Sequence, residues 1–99
     1  MMVETGKIYT IKLATGEEIV TKVVEIESDF LIIENPIVTV LTPKGLQMMP
    51  GLFSAEMDQK VKLNKNSCVM LARCREDVGN SWIQATTGIE PVTRQIITG

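Results

Sequence analysis

The stretch Lys7–Pro36, KIYTIKLATGEEIVTKVVEIESDFLIIENP, decides the fold. It reads as three strands separated by two turns. Ile8, Tyr9, Ile11 and Leu13 carry the first strand. Ala14-Thr15-Gly16-Glu17 forms the first turn, where Gly16 permits a positive φ. Ile19 to Ile26 follows, rich in Ile, Val and Thr, and stops at Glu27-Ser28-Asp29. Phe30 to Ile33 completes the meander, and Asn35-Pro36 punctuates it. β-branched residues suit a pleated, half-buried surface, whereas Gly, Ser, Asp and Pro break it. Tyr9, Ile11 and Leu13 share one face of the first strand, opposite Ile8, Thr10 and Lys12. Ile19 to Ile26 is apolar on both faces. Such a strand is sandwiched, or bent so that its halves meet different layers.

Beyond Pro36 the third strand resumes through Ile37–Leu41. Pro36 lacks an N–H, which predicts a bulge or an edge position there. Thr42-Pro43-Lys44-Gly45 has the composition of a tight reversal. Leu46 to Phe53 is the returning arm, interrupted by Pro50-Gly51, and Ser54 to Gln59 is a polar loop. Lys60-Val61-Lys62-Leu63 alternates polar and apolar, Asn64 to Ser67 is a short turn, and Cys68-Val69-Met70-Leu71-Ala72 is apolar throughout. A strand that apolar is buried on both faces or paired with another chain. Periodicity alone makes a hairpin of Lys60–Leu63 and Cys68–Cys74. After Arg75 a helix is predicted, with Asp77 as N-cap, Gly88 as stop, and Val78, Trp82, Ala85 and Ile89 on one face. Met1 to Gly6 reads as a loose lead-in and Glu90 to Gly99 as a tail ordered only against a neighbour. The expected fold is all-β with a short C-terminal helix: a strongly bent, five-stranded antiparallel small barrel. It is one domain over residues 1–99, with the barrel at about 7–74 and the helix and tail at about 76–99.

Composition narrows the function. A 99-residue domain buries only about 60–65% of its unfolded surface, and oligomerisation is a common remedy for that shortfall. Six Met and few aromatics supply adaptable apolar volume. A net charge of −2 and a pI near 5.1 argue against broad electrostatic capture of nucleic acid. Cys68 and Cys74 lie roughly 20 Å apart along an intact strand, beyond the reach of a disulfide, and are expected reduced. Without His or a second Cys pair no zinc site is expected, and no other cofactor or metal is implied. With no His and no base beside either Cys, no catalytic constellation forms, so no enzymatic activity is expected. Glu17, Glu18, Glu25, Glu27, Asp29 and Glu34 read as a solvated acidic surface, with a divalent-cation site at Glu25, Glu27 and Asp29 as the sharper alternative. Lys60, Lys62 and Lys65 are the one basic cluster: ordinary solvated positions, or a phosphate contact repeated around an assembly. No apolar run reaches membrane-span length. The N-terminal Met-Met-Val-Glu-Thr-Gly lacks the basic and apolar regions of a signal peptide, so a cytoplasmic protein is expected.

Ile11-Lys12-Leu13-Ala14-Thr15-Gly16-Glu17-Glu18-Ile19, followed by Val23-Val24-Glu25-Ile26-Glu27, resembles the first signature of the Sm-like (LSm) family. Asn64 to Ser67 leading into Cys68-Val69-Met70-Leu71 lies where the second signature falls. Asn35-Pro36, Pro43-Lys44-Gly45-Leu46, Met48-Met49-Pro50 and the helical stretch after Glu76 are most similar to small Sm-like proteins of tailed phages of marine cyanobacteria. The resemblance covers roughly Lys7 to Ile89. It implies a bent, SH3-type five-stranded barrel, in the cytoplasm of a bacterial host, assembled as a closed homo-oligomeric ring of five to seven subunits. In such rings the fourth strand of one subunit pairs with the fifth of the next. That places Lys60, Val61, Lys62 and Leu63 against Cys68, Val69, Met70, Leu71 and Ala72 of a neighbour, with Asn64–Ser67 splaying the two strands. The resemblance also implies RNA binding at the pore. Position by position, the acidic residue of the first turn is Glu27, the base-stacking place falls at Asp29 or Phe30, and the Arg-Gly of the second turn falls at Asn64-Lys65. The uracil-reading Asn falls at Leu31, which cannot hydrogen-bond a base, so binding selective for uridine is not expected. Thr21 stands where the signature often has a second Gly, and the family's N-terminal helix has no counterpart in the short leader. The alternative implied function is a structural or adaptor ring that contacts another protein and no nucleic acid.

Overall fold

The computed structural model describes residues 2–52, 54–56 and 59–87. Six strands form one antiparallel sheet: β1 (Lys7–Leu13), β2 (Glu18–Ile26), β3 (Phe30–Thr42), β4 (Gly45–Pro50), β5 (Lys60–Asn64) and β6 (Cys68–Arg73). A 3-10 turn, Lys65–Ser67, joins β5 to β6, and helix α1 (Glu76–Thr87) follows. The sheet runs β4-β3-β2-β1-β6, with β5 also paired to β3. The antiparallel β-rich architecture with a short C-terminal helix agrees with expectation and is consistent with a small barrel-like fold, but the sheet is open among the described residues. The strand count is six, not five. Pro50-Gly51 divides the returning arm, so β4 pairs with the second half of β3, over Ile37–Thr42, and β5 with the first half, over Phe30–Glu34.

Both faces of β2 are used, as its composition requires. Ile19 and Val23 join Tyr9, Ile11, Leu31 and Ile33 in the main core. Val20 points the other way, with Ile37 and Trp82, into a second cluster beneath α1. Leu63 of β5 and Cys68 and Leu71 of β6 pack on the main core from its two sides. The sheet therefore curls until its two edges share one interior, although β5 and β6 do not pair within the chain. The lead-in is docked rather than loose: Val3 packs on the core, Gly6 N donates to Val23 O at 2.6 Å, and Glu4 N donates to Tyr9 Oη at 2.8 Å.

The sharpest local feature is the predicted bulge at Pro36. Val20 pairs with Ile37 and Lys22 with Glu34, so Asn35 and Pro36 together oppose Thr21 alone. Asn35 takes φ 48°, a left-handed value that Asn tolerates better than most residues. Each carbonyl of the segment is bonded: Glu34 O accepts from Thr21 Oγ1 at 2.7 Å, Asn35 O from Trp82 Nε1 at 2.8 Å, and Pro36 O from Gly51 N at 2.8 Å. Gly51 is fixed by this contact, since a Cβ there would meet Pro36 O at 2.9 Å.

Helix α1 begins one residue before the predicted cap. Asp77 lies in its first turn, accepting from Val78 N at 2.9 Å and from Arg75 Nη2 at 2.7 Å. The Arg75 guanidinium holds the Asp77 carboxyl below its usual range. The buried stripe is Val78, Gly79 and Trp82; Ala85, expected on it, is exposed. Gly88, Ile89 and the tail Glu90–Gly99 lie outside the described residues, as do Met1 and Phe53, Met57 and Asp58 of the returning arm and polar loop.

Trp82→Phe keeps an aromatic ring but leaves the Asn35 carbonyl without its indole donor. The net loss of one such half-buried hydrogen bond costs about 0.5–1.5 kcal/mol. Urea denaturation followed by circular dichroism should show a loss of that size with an unchanged native spectrum.

Candidate functional site

Five residues expected at a pore share one corner of the sheet. The β2–β3 turn is closed by Glu27 N donating to Phe30 O at 2.9 Å. Phe30 stands directly opposite Asn64 in the β3–β5 register. Asn64 Oδ1 accepts from Asn66 N at 2.9 Å, which starts the 3-10 turn, and Lys65 N donates to Asp29 O at 3.0 Å. Two backbone turns thus lock Glu27, Asp29, Phe30, Asn64 and Lys65 together, although more than thirty residues separate the two groups in sequence.

The charges of this corner are mixed. Lys60 is committed to Glu25 at 3.1 Å, a surface pair worth about 0.2–1 kcal/mol. Lys62 Nζ lies 5.4 Å from the centroid of Phe30, in cation–π range, a contact that the sequence reading missed. That ring is half-buried, and a base stacking on the same face must displace Lys62. Among the described residues Lys65 enters no ion pair. Glu27 and Asp29 balance Lys62 and Lys65, so a single corner presents no net positive charge to a phosphate. Glu25, Glu27 and Asp29 do not draw together as a metal-holding group; among the described residues no group of three His, Cys, Asp or Glu does.

Leu31, which the resemblance to Sm-like proteins sets at the place of a uracil-reading Asn, is 4% exposed and belongs to the main core. The position is therefore closed to a ligand by packing as well as by chemistry.

The second set of candidates occupies two sheet edges. On β5, Val61 and Leu63 pack inward while Lys60 and Lys62 face out, matching the alternation. On β6, Cys68 and Leu71 are half-buried, but Val69 and Met70 are 59% and 66% exposed and Ala72 is exposed. Burial of this strand on both faces is thus not achieved among the described residues. The β1–β6 register shifts between Lys12 and Leu13, so that Val69 is the extra residue of a bulge. Among the described residues each strand pairs on one side only, β5 with β3 and β6 with β1.

Cys68 and Cys74 are both free. Burial pushes the Cys68 thiol up; at Cys74 burial is again the main cause, with the Asp77 carboxylate adding to it. Both stay protonated at neutral pH and are poor nucleophiles. A groove of about 350 Å³, invisible to sequence periodicity, lies between the bulge, β4, β5 and α1, lined by Pro36, Met48, Pro50, Val61 and Ala85. Among the described residues no helix is long and apolar enough to cross a membrane. Comparison with family models and with characterised proteins finds no match to this chain.

Leu31→Asn, which introduces the residue that Sm-like proteins use to read uracil, should fail to create a site. It buries an amide in an apolar cluster and removes packing volume, at a cost of about 3 kcal/mol or more. Thermal unfolding should show the variant strongly destabilised, and uridine oligonucleotides should not rescue its stability.

Proposed function

We propose that this chain is a non-catalytic subunit of an Sm-like closed ring, joined by β6 of one copy against β5 of the next. The observation that carries this reading is the fate of two consecutive strands. β5 and β6 are separated by only three residues, yet they lie on opposite sides of the curled sheet, each with one edge unpaired among the described residues. An unpaired edge is a template for another strand, and the β6 edge carries Val69 and Met70 exposed where most edges carry charge. Joining the two different edges head to tail closes by rotation into a ring, here of five to seven subunits, and leaves neither edge open. The same joint accounts for a 99-residue domain that leaves its most apolar strand half uncovered.

In this ring the corner formed by Glu27, Asp29, Phe30, Asn64 and Lys65 is repeated at every subunit. RNA binding there is weak and not selective for uridine, because Leu31 is core and Phe30 is covered by Lys62. Lys65 supplies the phosphate contact. The charge balance of the corner and the net charge of −2 favour a second reading, a ring that acts as a protein adaptor without nucleic acid.

Both readings are open to direct measurement. Native mass spectrometry should find one discrete multimer for the wild type and monomers for Val69→Lys/Met70→Lys, whose exposed substitutions place charge on the edge and leave the core alone. A multimer that survives in the variant places the seam elsewhere. Proline is the weaker probe at Val69, since a bulge tolerates it. For RNA, a salt-titrated oligonucleotide assay on the ring should show Lys65→Ala lowering affinity and reducing the salt slope by about one. Wild-type protein that binds no oligonucleotide leaves the adaptor reading.

A further inference from the structure

We propose that residues 89–97 of this chain dock in the groove between the bulge, β4, β5 and α1 and close it. The groove holds about 350 Å³, with Pro36, Met48, Pro50, Val61 and Ala85 on its walls. That is the small end of the roughly 300–1,000 Å³ of ligand pockets. A pocket for a free ligand keeps a few polar groups to orient it. Here polar atoms of the groove are already engaged within the chain. The Asn35 carbonyl accepts from Trp82 Nε1 and the Pro36 carbonyl from Gly51 N, both at 2.8 Å, and Thr86 Oγ1 donates to Trp82 O at 2.8 Å. Pro36 and Pro50 carry no N–H. The groove therefore suits aliphatic side chains better than a polar small molecule.

The occupant is this chain's own segment because of where α1 ends. Ala85 and Thr86 line the groove, and the described residues end at Thr87, on its rim. Twelve residues, 88–99, follow. Fully extended they reach about 40 Å, ample to cross the groove. In sequence, Gly88 and Glu90-Pro91 are stop signals that turn a chain off a helix axis. Ile89 follows Ala85 by four residues on the predicted stripe of Val78, Trp82 and Ala85. Ala85 is the member of that stripe left exposed, and it lines the groove. The segment carries Ile89, Val92, Ile96 and Ile97 against two charges, Glu90 and Arg94. The charges match as well: Glu56 is the one charged residue among the described groove lining, and Arg94 is the one cation of the segment. Starting at the rim, the segment meets the groove at about the millimolar effective concentration of a short tether.

Methyl nuclear magnetic resonance on the full chain tests this. With Ile and Met methyls labelled, Met48 on the groove wall should show cross-relaxation with Ile89, Ile96 or Ile97. Absence of every such contact overturns the docking. When Ile-labelled and Met-labelled chains are refolded together, the contact between the two labels should vanish. A contact that persists puts the segment in a neighbour's groove and overturns the assignment to the same chain. Peroxide oxidation read by peptide mass spectrometry is an independent check. Ile89→Asp/Ile96→Asp/Ile97→Asp leaves every described residue unchanged. Oxidation of Met48 should then rise about tenfold, the factor by which a segment docked nine-tenths of the time shields what lies beneath it. Met2, 85% exposed, is the internal reference. An unchanged Met48 rate overturns the proposal, and it is the result expected if another molecule fills the groove. Neither readout depends on the ring: contacts found within a monomer remove the ring and uphold the docking.

Discussion

One hydrogen bond, from the indole of Trp82 to the carbonyl of Asn35, ties together the parts of this molecule that local sequence preference would leave apart. A long strand that must serve two partners needs a place to change direction, and the Asn35-Pro36 bulge is that place. A bulge turns a carbonyl out of the ladder, and a half-buried carbonyl there gains by finding a donor. Trp82 supplies the donor and seals the second cluster over Val20 and Ile37 with the same ring. The Pro36 carbonyl takes the Gly51 amide, which fixes where β4 ends. The half of β3 before the bulge is thereby left to β5, and the half after it to β4.

The consequences reach the edges. Because β3 carries two partners in tandem, β5 lies on the far side of the sheet from β1, while the chain must return to pair β6 with β1. The 3-10 turn between them, started by Asn64 Oδ1, makes that crossing in three residues. The turn also pins the corner where the candidate ligand contacts gather, through Lys65 N to Asp29 O. Edge exposure and site geometry are thus two results of one backbone arrangement. A change at Trp82 acts on both, at a distance from either.

Most of the strands were legible because alternation, β-branching and turn residues agree with one another over Lys7–Asn35. Pro36 was legible as a bulge, since a residue without an amide proton has few places in a sheet. What was not legible depends on pairing at long range. A hairpin of β5 and β6 fits their periodicity as well as the observed separation does, and the family resemblance rather than the alternation pointed to the splayed arrangement. Five strands became six because Pro50-Gly51 ends β4 while β3 runs on, a fact about the partner strand rather than about the break. At the candidate site, residue type marked Phe30 and Lys62 separately. Their contact arises from the β3–β5 register, which brings Phe30 opposite Asn64 and Ile32 opposite Lys62. Asp77 was a good cap by type, but the helix starts at Glu76, and the Asp77 carboxylate instead grips Arg75 and the Val78 amide.

The arrangement of charge completes the picture. Five of the nine basic side chains among the described residues are engaged with partners in the chain: Lys60 with Glu25, Arg73 with Glu4, Arg75 with Asp77, Lys62 with Phe30 and Lys22 with Trp82. The three ion pairs are exposed contacts of small individual energy, so a ligand can compete for them, but each competition lowers the net gain. Under the proposed function, each of these contacts weighs against nucleic-acid binding by a single subunit. Repetition changes that arithmetic. When identical weak corners are held at fixed spacing around a ring, the second contact forms at the high effective concentration set by the first, and affinity grows without any new residue. Under the proposed function, assembly is then more than a remedy for a small core. It is the step that converts a nearly neutral corner into a surface able to hold an extended chain, and the open apolar edges come before the site in the causal order.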